Sequence, residues 1–378
     1  MKKNTTGKKA PKVLEKTERN RIRRMAGEQR LTIGLDLGDR HIQYCILDAS
    51  GEMVSEGRLP TQAGGIGGLF EKMPASRVAL EVGTHSPWVS RQLARYGHEV
   101  IVANPHQVKL ITQSSRKTDR MDARKLARLA RVDPQLLAPI RHRGEQAQAD
   151  LAVIRSRAAL VEAQTKLINY ARGTVKPMGK RLEKCDADQV GLALAEGLPE
   201  GAQTAVGPLL QSVESLSEQI GVYDAQIETI AQRYPEVKLL QPVYGVGTLI
   251  ALTFLLTLED AGRFAHSRDV GPYLGLTPKQ RESGESDPQL GISKCGDRLL
   301  RSLLVQAAHC NLRRGAPDSD LRSWGMGKAE RGGKSGKKRA VVGMARKLGV
   351  LLHRLWATGE VYEPCYNRRQ GHGNQAVA

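Results

Sequence analysis

Four carboxylates stand where chemistry on a phosphodiester would need them. Asp36 closes the apolar run in GLDLG, and Glu81 holds the same place in VALEVG, each where an alternating pattern gives way to a turn. In an α/β sheet the ends of adjacent strands bring side chains from distant sequence positions close together. Asp119 and Asp122, in KTDRMDAR, lie three apart on an expected helix and so project from one face. Four such groups in one pocket repel unless divalent cations neutralise them. Hard oxygen ligands select Mg²⁺ or Mn²⁺, and two such ions about 4 Å apart activate a nucleophile and stabilise the leaving oxygen at phosphorus. Singly, each acid has a plainer reading: Asp119 can cap its helix and Glu81 can face solvent. The apolar neighbours of Asp36 and Glu81 favour the metal site, because a half-buried carboxylate is costly without a counter-charge.

Such a site needs a sheet to position it. From residue 31 the chain reads as three strands, 31–36, 41–47 and 53–59, joined by turns of hairpin type. A Gly-rich helical segment to residue 73 follows, then a strand at 77–82, a helix at 87–96, a strand at 99–103 and a helix at 119–132. Three antiparallel strands followed by alternating helices and strands make a mixed α/β sheet, the order of a ribonuclease-H-like fold.

Charge points to a polyanionic partner. The 378 residues hold 58 Lys and Arg against 39 Asp and Glu, a net charge of +19. Aromatic residues are only 4% of the chain, which argues against a base-stacking platform and for phosphate contacts. Residues 1–30 read as a basic, disordered arm. Residues 141–184 are a basic helical stretch, and residues 185–237 reverse the sign with nine acids against Arg233. Within that acidic stretch Val206, Leu209, Val213, Leu216, Ile220, Tyr223, Ile227, Ile230 and Tyr234 alternate steps of three and four. This heptad seam reads as a coiled coil joining copies of the chain, with a helix packed on its own domain as the plainer alternative. A compact helical region runs from 238 to about 360 with a basic run at 328–347; 361–378 is a tail, and its last dozen residues read as frayed.

Five cysteines, odd in number and scattered, indicate neither a disulfide framework nor a zinc site. With no signal peptide legible, the expected location is the cytoplasm, at the nucleoid. The uncharged stretch 239–258 is long enough for a bilayer, but Gln241, Pro242, Gly245 and Gly247 interrupt it, so it reads as a buried helix after a turn.

GLDLG, ALEVGTHS, VANPHQVK and KTDRMDARKLA, in this order and spacing, resemble the DEDD domain of the IS110 family of insertion-sequence transposases, a domain similar to the Holliday-junction nuclease RuvC. The family's four metal-binding acids match Asp36, Glu81, Asp119 and Asp122. Residues 242–304 resemble the family's C-terminal transposase domain, and the Ser-Gly of RESGES aligns with its nucleophilic serine, so the resemblance implies Ser283, with Ser286 as the other assignment. Without the resemblance a Ser-Gly in a polar loop is ordinary turn chemistry. No His or Lys stands nearby in sequence as an obvious base, which implies activation by the metal or by a carboxylate of the first domain. Tyr244-Gly245-Val246-Gly247 resembles the hairpin of a phosphate-binding helix-hairpin-helix, with Tyr-Gly in place of the usual Pro-Gly.

The resemblance implies domains at 31–140 (RuvC-like), 141–237 (basic helix and acidic coiled coil) and 238–360 (serine transposase). It also implies a recombinase that exchanges strands of double-stranded DNA through a phosphoserine link, guided by an element-encoded non-coding RNA and acting as a dimer or tetramer. A junction-resolving nuclease using the four acids alone is the alternative. An ATPase of the actin and sugar-kinase type shares the first hairpin pattern but requires a second, which the sequence lacks. A non-enzymatic DNA-binding protein would explain the charge and leave the half-buried acids unexplained.

Overall fold

The computed structural model describes residues 16–105, 118–281, 283, 288, 290–331 and 333–367. The chain divides between Arg143 and Gly144 into two compact units.

The first unit holds strands β1 (Thr32–Leu37), β2 (His41–Leu47), β3 (Met53–Pro60), β4 (Arg77–Glu81) and β5 (Glu99–Ala103), in the order β3-β2-β1-β4-β5. The β1–β2 and β2–β3 pairs are antiparallel, and β1–β4 and β4–β5 are parallel. This is the ribonuclease-H-like mixed sheet that the sequence predicts. Alternation along the strands gives each face its own core. Ile33, Leu35, Val78 and Leu80 face α1 (Lys16–Glu28), α2 (Ala63–Phe70) and α3 (Ser86–Arg95), which contribute Ile22, Leu69, Phe70 and Val89. The opposite face carries small residues, Cys45, Ala79 and Ala103, under α4 (Asp119–Val132).

Helix α1 corrects the expectation of a disordered arm for the part of residues 1–30 that is described. Ile22 and Ala26, four apart, are buried in the sheet core, and Arg23 donates to the Gly68 carbonyl at 3.2 Å. Two buried positions among many cations leave little periodicity to read. Residues 1–15 lie outside the described residues.

In the second unit α5 (Glu145–Val175) and α6 (Glu200–Ala231) form a hairpin of two long helices. Helices α7 (Glu236–Leu240), α8 (Thr248–Leu258), α9 (Val270–Tyr273), α10 (Arg298–Leu312), α11 (Asp320–Arg331) and α12 (Gly336–Thr358) complete it. The expected boundary at residue 237 does not separate two bodies, because Leu151, Ile154, Ile227 and Ile230 of the hairpin share one core with Leu252, Phe254, Leu304 and Leu348. Every residue of α8 from Ile250 onward is buried. Among the described residues no helix is long and apolar enough to cross a membrane.

Five of the nine seam positions are covered within the chain, as in the plainer reading, while Leu209, Leu216, Tyr223 and Tyr234 are partly exposed. Val206, Val213, Ile220, Ile227 and Ile230 are buried within the chain, with α5 as the partner helix. Polar crosslinks fasten the pair: Arg157 Nε donates to Asp224 Oδ1 at 2.5 Å and Gln164 Nε2 to Ser217 Oγ at 2.8 Å. Near its open end, buried Asp150 accepts from the Tyr234 hydroxyl at 2.6 Å and from Arg233. Burial, and then the bond to Asp150, push the Tyr234 phenol well above its ordinary range. The basic helix of the same chain supplies a partner for this seam. Residues 361–367, at the start of the expected tail, are tied to α11: Asp320 N donates to Pro364 O at 2.8 Å and Asn367 N to Asp320 Oδ2 at 2.7 Å, and residues 368–378 lie outside the described residues.

Candidate active site

Parallel pairing sets Gly34 beside Ala79 and Leu35 beside Leu80, so Asp36 and Glu81 follow at the carboxyl ends of neighbouring strands. By alternation both lie on the face covered by α4, and both are half-buried. Helix α4 runs against the direction of β1 and β4: Arg77, which opens β4, donates to the Ala130 carbonyl near the helix end at 3.0 Å. The first turn of α4, with Asp119 and Asp122, therefore lies at the sheet end that carries Asp36 and Glu81. Thr118 caps the helix, its hydroxyl accepting from Met121 N at 3.3 Å, which removes the need for Asp119 to do so.

The height of α4 above the sheet is set at Gly34. A Cβ built there would lie 2.0 Å from the Ala123 carbonyl oxygen and 2.5 Å from Ala127 N, so helix backbone rests on strand backbone. Across the sheet, Arg124 grips Glu56 of β3 through Nε and Nη2 at 2.7 and 2.8 Å, and Arg120 joins the same carboxylate. Burial pushes the Cys45 thiol up, partly offset by Arg124, Arg128 and Arg120. Lys125 Nζ stands 3.7 Å from Asp122.

The four acids thus share one end of the sheet. Among the described residues, no group of three or more His, Cys, Asp and Glu side chains closes into a metal-holding cluster. The donor set itself, four carboxylates, matches in kind the oxygen ligands that Mg²⁺ and Mn²⁺ take. Sequence reasoning missed the neighbours of this end. His85 Nε2 lies 3.3 Å from Asp39 in the β1–β2 turn, and Trp88 Nε1 donates to His85 Nδ1 at 3.1 Å. Because an indole N–H only donates, Nδ1 accepts and Nε2 carries the proton toward Asp39. The spacing His85-x-x-Trp88 at a helix start was the available signal.

In the second unit Ser283 is exposed and stands in an isolated β-bridge. Its loop rises from a short ladder: Pro278 bridges Ile292, Lys279 N donates to Gly291 O at 3.0 Å, and Ser293 N to Thr277 O at 2.9 Å. Arg301 ties the base down by donating to the carbonyls of Leu274 and Cys295 at 3.0 and 2.9 Å. Ser286 lies outside the described residues. The 242–247 turn joins α7 to α8, with Gly245 at φ 81° and Asn311 Nδ2 donating to Tyr244 O at 2.7 Å.

Two family models match the chain. One, of the DEDD type of IS110 and described as Transposase, covers residues 33–178 and so includes all four acids. The other, described as the transposase IS116/IS110/IS902 family, covers residues 237–322 and includes Ser283. The chain is 28% identical over 337 residues to the transposase for insertion sequence element IS1111A of Coxiella burnetii, covering 87% of this chain and 90% of that protein. It is 29% identical over 245 residues to the transposase for insertion sequence element IS1328 of Yersinia enterocolitica, covering 64% and 72%.

Proposed function

The chain belongs to the IS110 family of transposases and is a DNA-transposing enzyme, and from that premise we propose that it cuts and rejoins DNA through a serine–phosphate link. Ser283 Oγ attacks a backbone phosphorus: an O–P bond forms, the bond from phosphorus to one sugar oxygen breaks, and the serine proton ends on that oxygen. The link preserves the phosphodiester's free energy, so the strand can be rejoined to a second DNA. Mg²⁺ or Mn²⁺ held by Asp36, Glu81, Asp119 and Asp122 would supply positive charge at the phosphate oxygens. The substrates are double-stranded element ends and target. An element-encoded RNA that pairs with both, and assembly as a dimer or tetramer, belong to the same proposal and rest on the family resemblance. The observation that most supports the reading is the shared sheet end, where Asp36 and Glu81 close adjacent parallel strands and α4 begins with two further acids.

The test is a covalent adduct. Incubated with element-end DNA and Mg²⁺ and then denatured, the chain is expected to carry attached DNA, retained in Ser286→Ala and abolished in Ser283→Ala. Asp36→Asn and Asp122→Asn should abolish strand cleavage with an unchanged circular dichroism spectrum. Cut DNA with free ends and no adduct under any condition would establish the junction-resolving nuclease instead.

A further inference from the structure

The C-terminal unit holds a cavity of about 1320 Å³ between α11, α12, the segment 360–367 and the ladder under the Ser283 loop. That exceeds the ~300–1,000 Å³ of pockets that take one small molecule. Its rim carries Lys328, Lys338, Arg339, Arg346, Lys347 and Arg354 against three carboxylates, Asp320, Glu360 and Glu363. Arg354 is paired with Glu360 at 3.0 Å. Arg339, Arg346, Lys347 and Arg354 recur along α12 at helical spacing, so they form one stripe.

The interior has a different character. Trp324 is held against Gly343 of α12, where a built Cβ would lie 2.9 Å from the ring, and Lys347 Nζ stands 4.8 Å from its centroid. Tyr362 and Tyr366 line the same cavity, the latter 42% exposed. A chain with so few aromatic residues collects three of them in a lining that also carries six cations. Inorganic phosphate or a duplex backbone would use the cations alone, because a duplex keeps its base faces stacked. Unpaired nucleotides use both, phosphates on the cations and base planes on the rings.

We infer that this groove binds an unpaired segment of the DNA strand that adjoins Ser283. The choice of DNA rests on the proposed serine reaction and on one observation: Pro278 and Ile292, the bridged pair that supports the Ser283 loop, are also walls of the cavity. A strand seated there lies against the stem of the loop whose serine would attack it.

Fluorescence anisotropy of the full chain with a labelled single-stranded DNA, the same sequence as RNA, and its duplex tests the inference. Replacing Lys338, Arg346 and Lys347 by Gln should weaken single-stranded DNA binding at least tenfold and flatten the logarithmic salt slope by about 2. Tyr366→Ala, with its circular dichroism spectrum checked against wild type, should weaken it roughly tenfold with the salt slope unchanged. Wild-type affinity in both variants, equal loss on duplex, or greater loss on RNA would each overturn the inference. Binding and adduct are read separately. Groove-dependent binding without any adduct leaves the groove standing and removes the serine reaction, whereas an adduct formed normally by both variants does the reverse.

Discussion

Helix α4 and helix α6 are attached to their units by opposite means. Helix α4 meets β1 through Gly34, Ala123 and Ala127, with backbone against backbone. Helix α6 meets α5 through a seam of Val, Leu and Ile and a ladder of polar crosslinks between side chains. Side chains with rotatable bonds adjust to a changed neighbour, whereas carbonyl oxygens and backbone nitrogens cannot retreat without moving the whole element. The small-residue contact therefore fixes the distance between helix and strand tightly, and it does so one turn from Asp119 and Asp122. The large-residue seam supplies stability and tolerates small shifts.

The largest expected effect comes from filling the tight contact. Gly34→Val would place atoms inside the Ala123 peptide, and the cost should be at least about 4 kcal/mol of stability in urea unfolding of the full chain. A loss below about 1 kcal/mol would show that the contact has slack and would break the comparison. An intermediate effect is expected in the seam. Ile220, 9% exposed, faces α5, and Ile220→Asp should cost roughly 3 kcal/mol while leaving the mass measured by light scattering unchanged. A fall in mass at unchanged stability would place the seam between copies of the chain. The smallest effect sharpens the first: Thr118→Ala removes the cap of α4 and should cost about 1 kcal/mol in urea unfolding. Because that turn carries Asp119 and Asp122, strand cleavage should fall by more than so small a loss of global stability accounts for.

Much of this was legible beforehand. The strands read at 31–36, 41–47 and 53–59, which form at 32–37, 41–47 and 53–60, the two parallel strands and the helix from 119 were readable because pairing and helix formation follow local periods of two and 3.6 residues. Placing Asp36 and Glu81 at strand ends needed only the point where alternation stops. Helix α1 was not legible, since Ile22 and Ala26 give two buried positions in a run dominated by cations. Neither was the link between Asp39 and His85, which are 46 residues apart and meet only because β1 and β4 are neighbours.

The amino-acid sequence by itself determined the order of elements, the positions of the four acids along them and the presence of an apolar seam on α6, because each depends on residues within one or two turns. Which surface covers that seam was decided by the tertiary structure: a heptad pattern states that a partner helix exists, and α5 of the same chain fills the place. The aromatic count gives no hint that packing α11, α12 and the 360–367 segment together gathers Trp324, Tyr362 and Tyr366 into one cavity whose lining also carries six cations. Composition averages over the chain, and only folding brings Trp324, Tyr362 and Tyr366 to one cavity.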